Sequence, residues 1–190
     1  MLILGSSFAK MPLLSLRIGT PIGMVVGHLV NPHSLKIDAL WCRIGGFKEL
    51  RLVLICDIRE ASTNGIIVDD MDSAILPEDV VRLKSIIEID YNIMNKKVIS
   101  GRMSIGKVAD YAVENGSFYV QKLYVEPNIW GKLTTNRITI DRKQIIEVSP
   151  SHVRVSDTEV KSKSTSSVMR KLAQSPVSMP AASTTSLTSE

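Results

Sequence analysis

The residues that could carry catalysis or bind a metal are few and widely spaced in this 190-residue sequence. His28, His33 and His152 form no HExxH motif and show no regular ligand spacing, so packing or surface roles are expected for them. Cys42 and Cys56 lie in the apolar runs LWCRI and VLICDI without a CxxC motif, which predicts buried thiols. These patterns predict no metal site, no redox centre and no cofactor.

Two further patterns resemble ligand-binding loops but lack the residues that such loops need. Five acidic residues lie between positions 69 and 79, without the glycine and final glutamate of an EF-hand, so a solvated loop is expected. Gly45-Gly46 lies between two strand-like runs and lacks the Lys-Ser/Thr pair of a phosphate-binding loop. A GxSxG nucleophile motif is also missing. The sequence therefore predicts a protein without enzymatic activity.

Basic residues form the remaining candidate site. Residues 95–155 contain 10 Lys or Arg and 5 Asp or Glu, whereas residues 1–94 contain 9 and 11. A positive region of this kind attracts anionic partners such as RNA. The predicted anion or RNA contacts are Lys96, Lys97, Arg102, Lys107, Arg142 and Lys143. An ordinary solvated surface is the alternative, because few aromatic residues are interleaved with these cations.

The elements that must position these residues are mainly strands. Short runs rich in β-branched and aromatic residues are separated by Gly, Pro, Asn and Asp. Asn115-Gly116 fits one of these breaks as a tight hairpin turn. One short helical turn is expected over residues 76–86, where Pro77 suits a first-turn position. The pattern predicts an all-β fold with one short helical turn.

The strand pattern occurs twice along the chain. Residues 21–42 align with residues 104–125 at a constant offset of 83, without a gap. The identical positions are Ile22/Ile105, Gly23/Gly106, Val25/Val108, Val30/Val113, Ser34/Ser117 and Leu40/Leu123. Downstream, residues 74–83 resemble residues 139–148, which would place the extra residues of the first copy in its middle, at 45–57. We interpret the pattern as a duplicated small domain, since the period is too long for a solenoid repeat.

Gly23 and Gly106 occupy matched positions in the repeat. A strand that bends sharply to close a small barrel uses glycine where a Cβ would clash with the neighbouring strand. We therefore predict a structural bend at both glycines. Apolar residues of the second copy, such as Val108, Val120 and Leu123, would then face the core.

These residues resemble a known family, the PRC-barrel domain. The segment SIGKVADYAV at 104–113 is similar to the family's opening strand, in which an Ile/Leu-Gly-x-Val core precedes a small and an acidic residue. Residues 75–80, ILPEDV, are similar to its closing segment. The resemblance covers residues 14–91 and 94–157 and implies two small β-barrels that act as a binding platform without catalysis. Similar domains occur in a ribosome maturation factor that binds a small-subunit protein, and in the cytoplasmic domain of the photosynthetic reaction centre H subunit.

Taken with the resemblance, these features predict an all-β protein of two tandem PRC-barrel-like β-barrels. The expected segments are a flexible lead-in (1–12), a first barrel domain (13–91), a second barrel domain (94–157) and a disordered Ser/Thr-rich tail (158–190). The expected function is that of a cytoplasmic binding or adaptor protein in RNA or ribosome-related processes, with a protein partner and an RNA or ribosomal component as candidate ligands.

An alternative function belongs to a different class. A structural protein that associates with itself, for example as a homodimer, at a membrane-attached or cell-division assembly would also fit apolar outer strands. Membrane insertion is not expected in either case, because the longest apolar runs are far shorter than the roughly 20 residues that span a bilayer.

Overall fold

The computed structural model describes residues 1–128 and 137–156, which fold into two β-sheets of seven strands each. The strands are β1 (Leu2–Leu4), β2 (Pro12–Ser15), β3 (Pro21–Asn31), β4 (Lys36–Ile44), β5 (Arg51–Leu54), β6 (Ile58–Ser62), β7 (Gly65–Val68), β8 (Ala74–Ile75), β9 (Lys97–Ser100), β10 (Met103–Glu114), β11 (Val120–Pro127), β12 (Ile138–Asp141), β13 (Ile145–Val148) and β14 (His152–Val155). The α-helix of the described residues is α1 (Lys84–Ile89), preceded by short 3-10 turns at Pro77–Asp79 and Val81–Leu83. The predicted all-β class is confirmed, whereas the predicted tail over residues 158–190 lies outside the described residues.

The two sheets repeat one strand order. The first sheet runs β6-β7-β2-β3-β4-β5-β8, and the second runs β13-β14-β9-β10-β11-β12, with β1 added to β10. Neighbouring strands are antiparallel except for β2 with β7 and β9 with β14, which are parallel. The first half of the molecule (12–91) and the second half (95–156) therefore have the same topology, and the second sheet forms a half-barrel.

The register of the central strands follows the offset seen in the sequence. Gly23 pairs with Ile44 between β3 and β4, and Gly106 pairs with Pro127 between β10 and β11, which is the same pair moved by 83 residues. Each half also has two irregularities in this strand pairing, at matched places. The first follows Val25 in one half and Val108 in the other, and the second follows Leu29 and Ala112. A bulge adds an unpaired residue and increases the local twist, so both strands curve in the same way.

The two halves diverge after their fourth strand. The match predicted between residues 74–83 and 139–148 does not hold, because β5, β6 and β7 correspond to β12, β13 and β14 at an offset of 87. The connection between β4 and β5 is the shorter one, and the extra residues of the first half follow β7, at positions 69–91. The segment ILPEDV at 75–80 is thus an addition to the first half and not a closing strand that both halves share.

One continuous core joins the two halves. Ile37 N–H donates to the Phe118 carbonyl at 2.9 Å, and Val120 N–H donates to the Leu35 carbonyl at 2.8 Å. These two hydrogen bonds exchange under the offset of 83, so they lie about a local two-fold axis between the halves. Most of the buried side chains of both sheets belong to one apolar cluster around this junction. The halves are packed as two subunits of a dimer would be.

Residues 1–12, predicted to be a flexible lead-in, take part in this core. Strand β1 pairs antiparallel with β10 of the second half, with Ile3 opposite Val113. Ile3 and Phe8 are both fully buried. The Ser6 hydroxyl and amide both donate to the Asp110 carboxylate, at 2.6 and 3.1 Å. The beginning of the chain thus adds a strand to the distant half.

The added segment of the first half forms an outer layer, residues 74–89, on the first sheet. Val80, Leu83 and Ile86 are buried against outward-facing residues of that sheet, which include Leu29 and Leu52. This second, smaller core is separate from the core between the halves. No helix within residues 1–128 and 137–156 has the length and apolar character needed to cross a bilayer.

Candidate functional site

Two of the predicted cations face each other on the second sheet. Lys97 on β9 lies directly opposite Lys107 on the antiparallel strand β10, and both side chains are exposed. His152 on the parallel strand β14 lies beside Lys97, so the three residues form a line across three strands, called here the basic row. Glu126 on β11, opposite Lys107, ends the row.

The strand pattern explains why the basic row faces solvent. Side chains alternate between the two faces of a strand, and Val98 and Val108, which follow the two lysines, are fully buried. Cβ atoms of opposed residues in an antiparallel pair lie about 4.5–5.5 Å apart, and like charges at that distance destabilise the pair. Neither lysine forms an ion pair with a carboxylate of the described residues. The basic row therefore holds two lysines close together, with Glu126 opposite Lys107 on its other side.

Two further predicted cations flank the row to different extents. The Lys96 ammonium donates to the Pro150 carbonyl at 2.5 Å and lies 5.5 Å from the centre of the Tyr91 ring, so it is fixed near the turn that precedes β14. Arg102 is exposed in the turn between β9 and β10, about 16 Å from the lysine pair at the usual rise per strand residue. Lys96 adds to the positive potential of the row, and Arg102 extends it along the hairpin.

Arg142 and Lys143 are placed elsewhere. The Arg142 guanidinium donates to the carbonyls of Ser34 at 2.7 Å and Val120 at 3.2 Å, and it lies 4.8 Å from the centre of the Tyr119 ring. It therefore joins the two halves at their junction, and its donors are taken up by the protein. Lys143, the next residue, is exposed.

The equivalent line in the first half has a different character. Pro12 and Met24 are opposed on β2 and β3 where Lys97 and Lys107 are opposed in the second half, and Arg43 occupies the place of Glu126. Met24 is 47% exposed. Because the same strands carry an apolar pair in one half, the fold itself does not require lysines in the other.

Gly23 and Gly106 serve a close approach between strands. A Cβ at Gly106 would lie within 3.0 Å of the Glu126 carbonyl oxygen, and one at Gly23 would lie as close to the Arg43 carbonyl oxygen. Neither glycine has a positive φ. Each glycine thus lets its strand lie against the backbone of the next strand without a steric clash.

A buried polar pair between the halves escaped the sequence reasoning. The Tyr111 hydroxyl and His28 Nε2 form a hydrogen bond, and the Phe8 ring lies 5.7 Å from the His28 ring. Burial lowers the pKa of His28 to about 4, with the Asp110 charge opposing the shift, and burial together with Asp110 raises the pKa of Tyr111. His28 and Tyr111 are matched positions of the repeat, and a two-fold axis between the halves brings matched positions together. The offset of 83, which matches His28 with Tyr111, is the sequence signal that could have predicted this contact.

The remaining candidates for chemistry are structural. Cys42 is buried, which raises the pKa of its thiol to about 12, whereas the prediction of a buried thiol at Cys56 is wrong, since this residue is exposed. In the acidic loop, Asp69 accepts two hydrogen bonds from Arg59 at 2.7 and 2.5 Å. The part of the chain that the structure describes contains no group of three or more His, Cys, Asp or Glu residues suited to a metal ion.

No protein-family model matches the chain, and no curated protein matches it.

Proposed function

We propose that the chain is a non-enzymatic binding protein built from two PRC-barrel-like modules, and that the basic row of its second half contacts RNA. The observation that carries this proposal is the direct opposition of Lys97 and Lys107 on an exposed sheet face, where neither lysine forms an ion pair among the described residues. Opposed lysines cost folding free energy, and a phosphate between them would remove that cost. The repeated strand order supports the two-module description.

Phosphate contacts make a specific prediction about salt. Each phosphate that a lysine neutralises on a single strand releases bound counterions and contributes about −0.7 to the slope of log affinity against log salt concentration. If Lys97 and Lys107 each contact one phosphate, their loss should reduce the magnitude of that slope by about 1.4. Sequence preference should be weak, because contacts to the backbone carry no base information.

The test uses the full chain and a fluorescein-labelled single-stranded RNA, with fluorescence anisotropy recorded from about 50 to 200 mM salt. The double variant Lys97→Gln/Lys107→Gln should bind more weakly at low salt and show the reduced slope. A matched control, Lys10→Gln/Lys48→Gln, removes the same charge from two other exposed positions and should retain the wild-type slope. Equal slopes for the two variants, or binding that does not depend on salt, would refute the assignment.

A self-associating protein is the second candidate, and the apolar pair Pro12/Met24 on the first sheet favours it. A stable dimer in analytical ultracentrifugation, together with no RNA binding at low salt, would support this candidate over the first.

A further inference from the structure

The outer layer, residues 74–89, presents apolar residues on two faces. Its inner face is accounted for, because Val80, Leu83 and Ile86 cover the first sheet. Its other face carries a groove of about 430 Å³, called here the outer groove. The groove is lined by Pro77, Glu78, Val81, Lys84, Ile87 and Glu88.

The lining of the outer groove includes Val81, an apolar side chain that the fold does not require. Val81 is 80% exposed, the largest value among the described large apolar side chains. A polar residue at this position would leave the contacts of Val80 and Leu83 with the sheet unchanged. Ile89, at the end of α1, is a further exposed apolar residue of this layer at 45%. Ile87 packs partly against the second core, whereas Val81 is exposed, and exposed apolar side chains that line a concavity are typical of a binding site.

Acidic residues outnumber basic ones at the groove. Glu78, Glu88 and Lys84 line it, and Asp79 and Asp90 are exposed next to the two glutamates in the chain. None of these four carboxylates forms an ion pair with a cation of residues 1–128 or 137–156. The nearby cations in this part of the chain are Arg82 and Lys84, so the acidic charges outnumber the basic ones. An occupant should therefore bring apolar surface for Val81 and Ile87 and positive charge for Glu78 and Glu88.

The corresponding face of the second half shows that the groove is specific to the first. The residues matched to Ala39 and Trp41 of the first sheet are Lys122 and Tyr124, and Lys122 pairs with Asp141 at 3.7 Å. That face is polar and, among the described residues, carries no helical layer. The outer layer and its groove are thus an addition to one half of a repeated structure.

We propose that the outer groove docks a short amphipathic segment of a partner protein, in which apolar side chains are flanked by lysine or arginine residues. The apolar side chains contact Val81 and Ile87, and the flanking cations pair with Glu78 and Glu88. This is a helix- or peptide-in-groove mode of recognition. The site is independent of the basic row, which lies on the other half of the molecule.

The probe is a fluorescein-labelled synthetic peptide with two leucines one helical turn apart and lysines on both sides. A second peptide, with every lysine replaced by glutamate, tests whether Glu78 and Glu88 of the groove attract positive charge. The full-length chain should bind the lysine peptide with an affinity that falls as salt rises, and it should bind the glutamate peptide at least about tenfold more weakly.

The decisive variant is Val81→Asp, because the side chain is exposed and its replacement should leave the melting temperature unchanged. It should weaken binding of the lysine peptide by about tenfold or more. Met103→Asp is the matched control, since Met103 is 73% exposed on the second half and should retain full binding. The proposal is overturned if the wild-type chain does not bind the lysine peptide, if both peptides bind equally, or if both variants bind alike. RNA binding by Val81→Asp should equal that of the wild type, which separates this test from the test of the basic row.

Discussion

Acidification should weaken the fold through His28. This residue lies between the halves with its Nδ1 atom buried and without a hydrogen-bond partner among the described residues, while Nε2 is hydrogen-bonded to the Tyr111 hydroxyl. A protonated imidazole carries a proton on both nitrogens, so the Nδ1 proton would have no acceptor there and a charge would be buried beside Phe8. The folded protein therefore keeps His28 neutral.

The size of the effect follows from the difference between two pKa values. The pKa of His28 is about 4 in the folded protein and 6.5 in the absence of burial. Below pH 6.5 the unfolded chain takes up a proton that the folded chain does not, so stability is lost as the pH falls from 6.5 to about 4. At 1.36 kcal/mol per pH unit, the loss attributable to this residue is about 3 kcal/mol as an upper limit.

Urea unfolding followed by circular dichroism at a series of pH values from about 7 to 4 measures this loss. His28→Gln removes the titrating group but keeps an acceptor for Tyr111, so its unfolding free energy should fall less steeply with pH than that of the wild type. Between pH 6.5 and about 4, the wild type should lose up to about 3 kcal/mol more unfolding free energy than His28→Gln. His33→Gln, at an exposed position, should follow the wild type.

The outcome that contradicts this reasoning is a parallel loss of stability in the wild type and in His28→Gln. In that case the acid sensitivity would come from carboxylates, and the buried imidazole would not control it. A parallel result in His33→Gln alone is the expected behaviour of the control.

One further prediction concerns the packing of strands within the second half, and another concerns the core between the halves. Gly106→Ala should destabilise the protein by about 1 to 3 kcal/mol, because its Cβ would meet the Glu126 carbonyl, whereas Gly45→Ala, where the nearest atom is 3.6 Å away, should change the urea midpoint little. Equal midpoints for the two variants would contradict the close approach of the strands. Phe8→Ala should cost about 3 to 5 kcal/mol, since Phe8 is fully buried, and Phe47→Ala, at 38% exposure, should cost much less. A Phe8→Ala chain as stable as the wild type would show that the lead-in does not hold the halves together.

The central strands could be predicted from the sequence because their information is local. The offset of 83 already aligns Gly23 with Gly106, and the structure repeats both their strand pairing and their contact with the next backbone. The proximity of Lys97 and Lys107 also follows from local information, since the two residues flank a hairpin. Alternation along each strand then places both lysines outside.

Contacts between distant parts of the chain could not be predicted in this way. Arg142 looks like any exposed cation in the sequence, and only the packing of the second half on the Ser34 carbonyl shows that its donors are occupied. The pairing of Ile3 with Val113 joins residues separated by most of the chain. Hydropathy and spacing report which face of an element is buried, but not which other element covers it.

The alignment after β4 failed for a related reason. Residues 74–83 and 139–148 share a short pattern of apolar and acidic residues, and such patterns recur in any strand-rich chain. Their true positions depend on the lengths of the connections, which differ by four residues between β4–β5 and β11–β12. Pattern similarity without a constant offset was therefore a weaker guide than the ungapped repeat.

The exchange of hydrogen bonds between Leu35, Ile37, Phe118 and Val120 has a consequence for how this molecule varies. In a dimer of identical subunits, every substitution appears at both symmetry-related places, and the interface is lost on dilution. Here the two partners are covalently joined, so their contact does not depend on protein concentration and each side is free to differ. The second half carries the basic row and the first half carries the outer layer, so the two candidate binding surfaces lie on different halves of the same molecule.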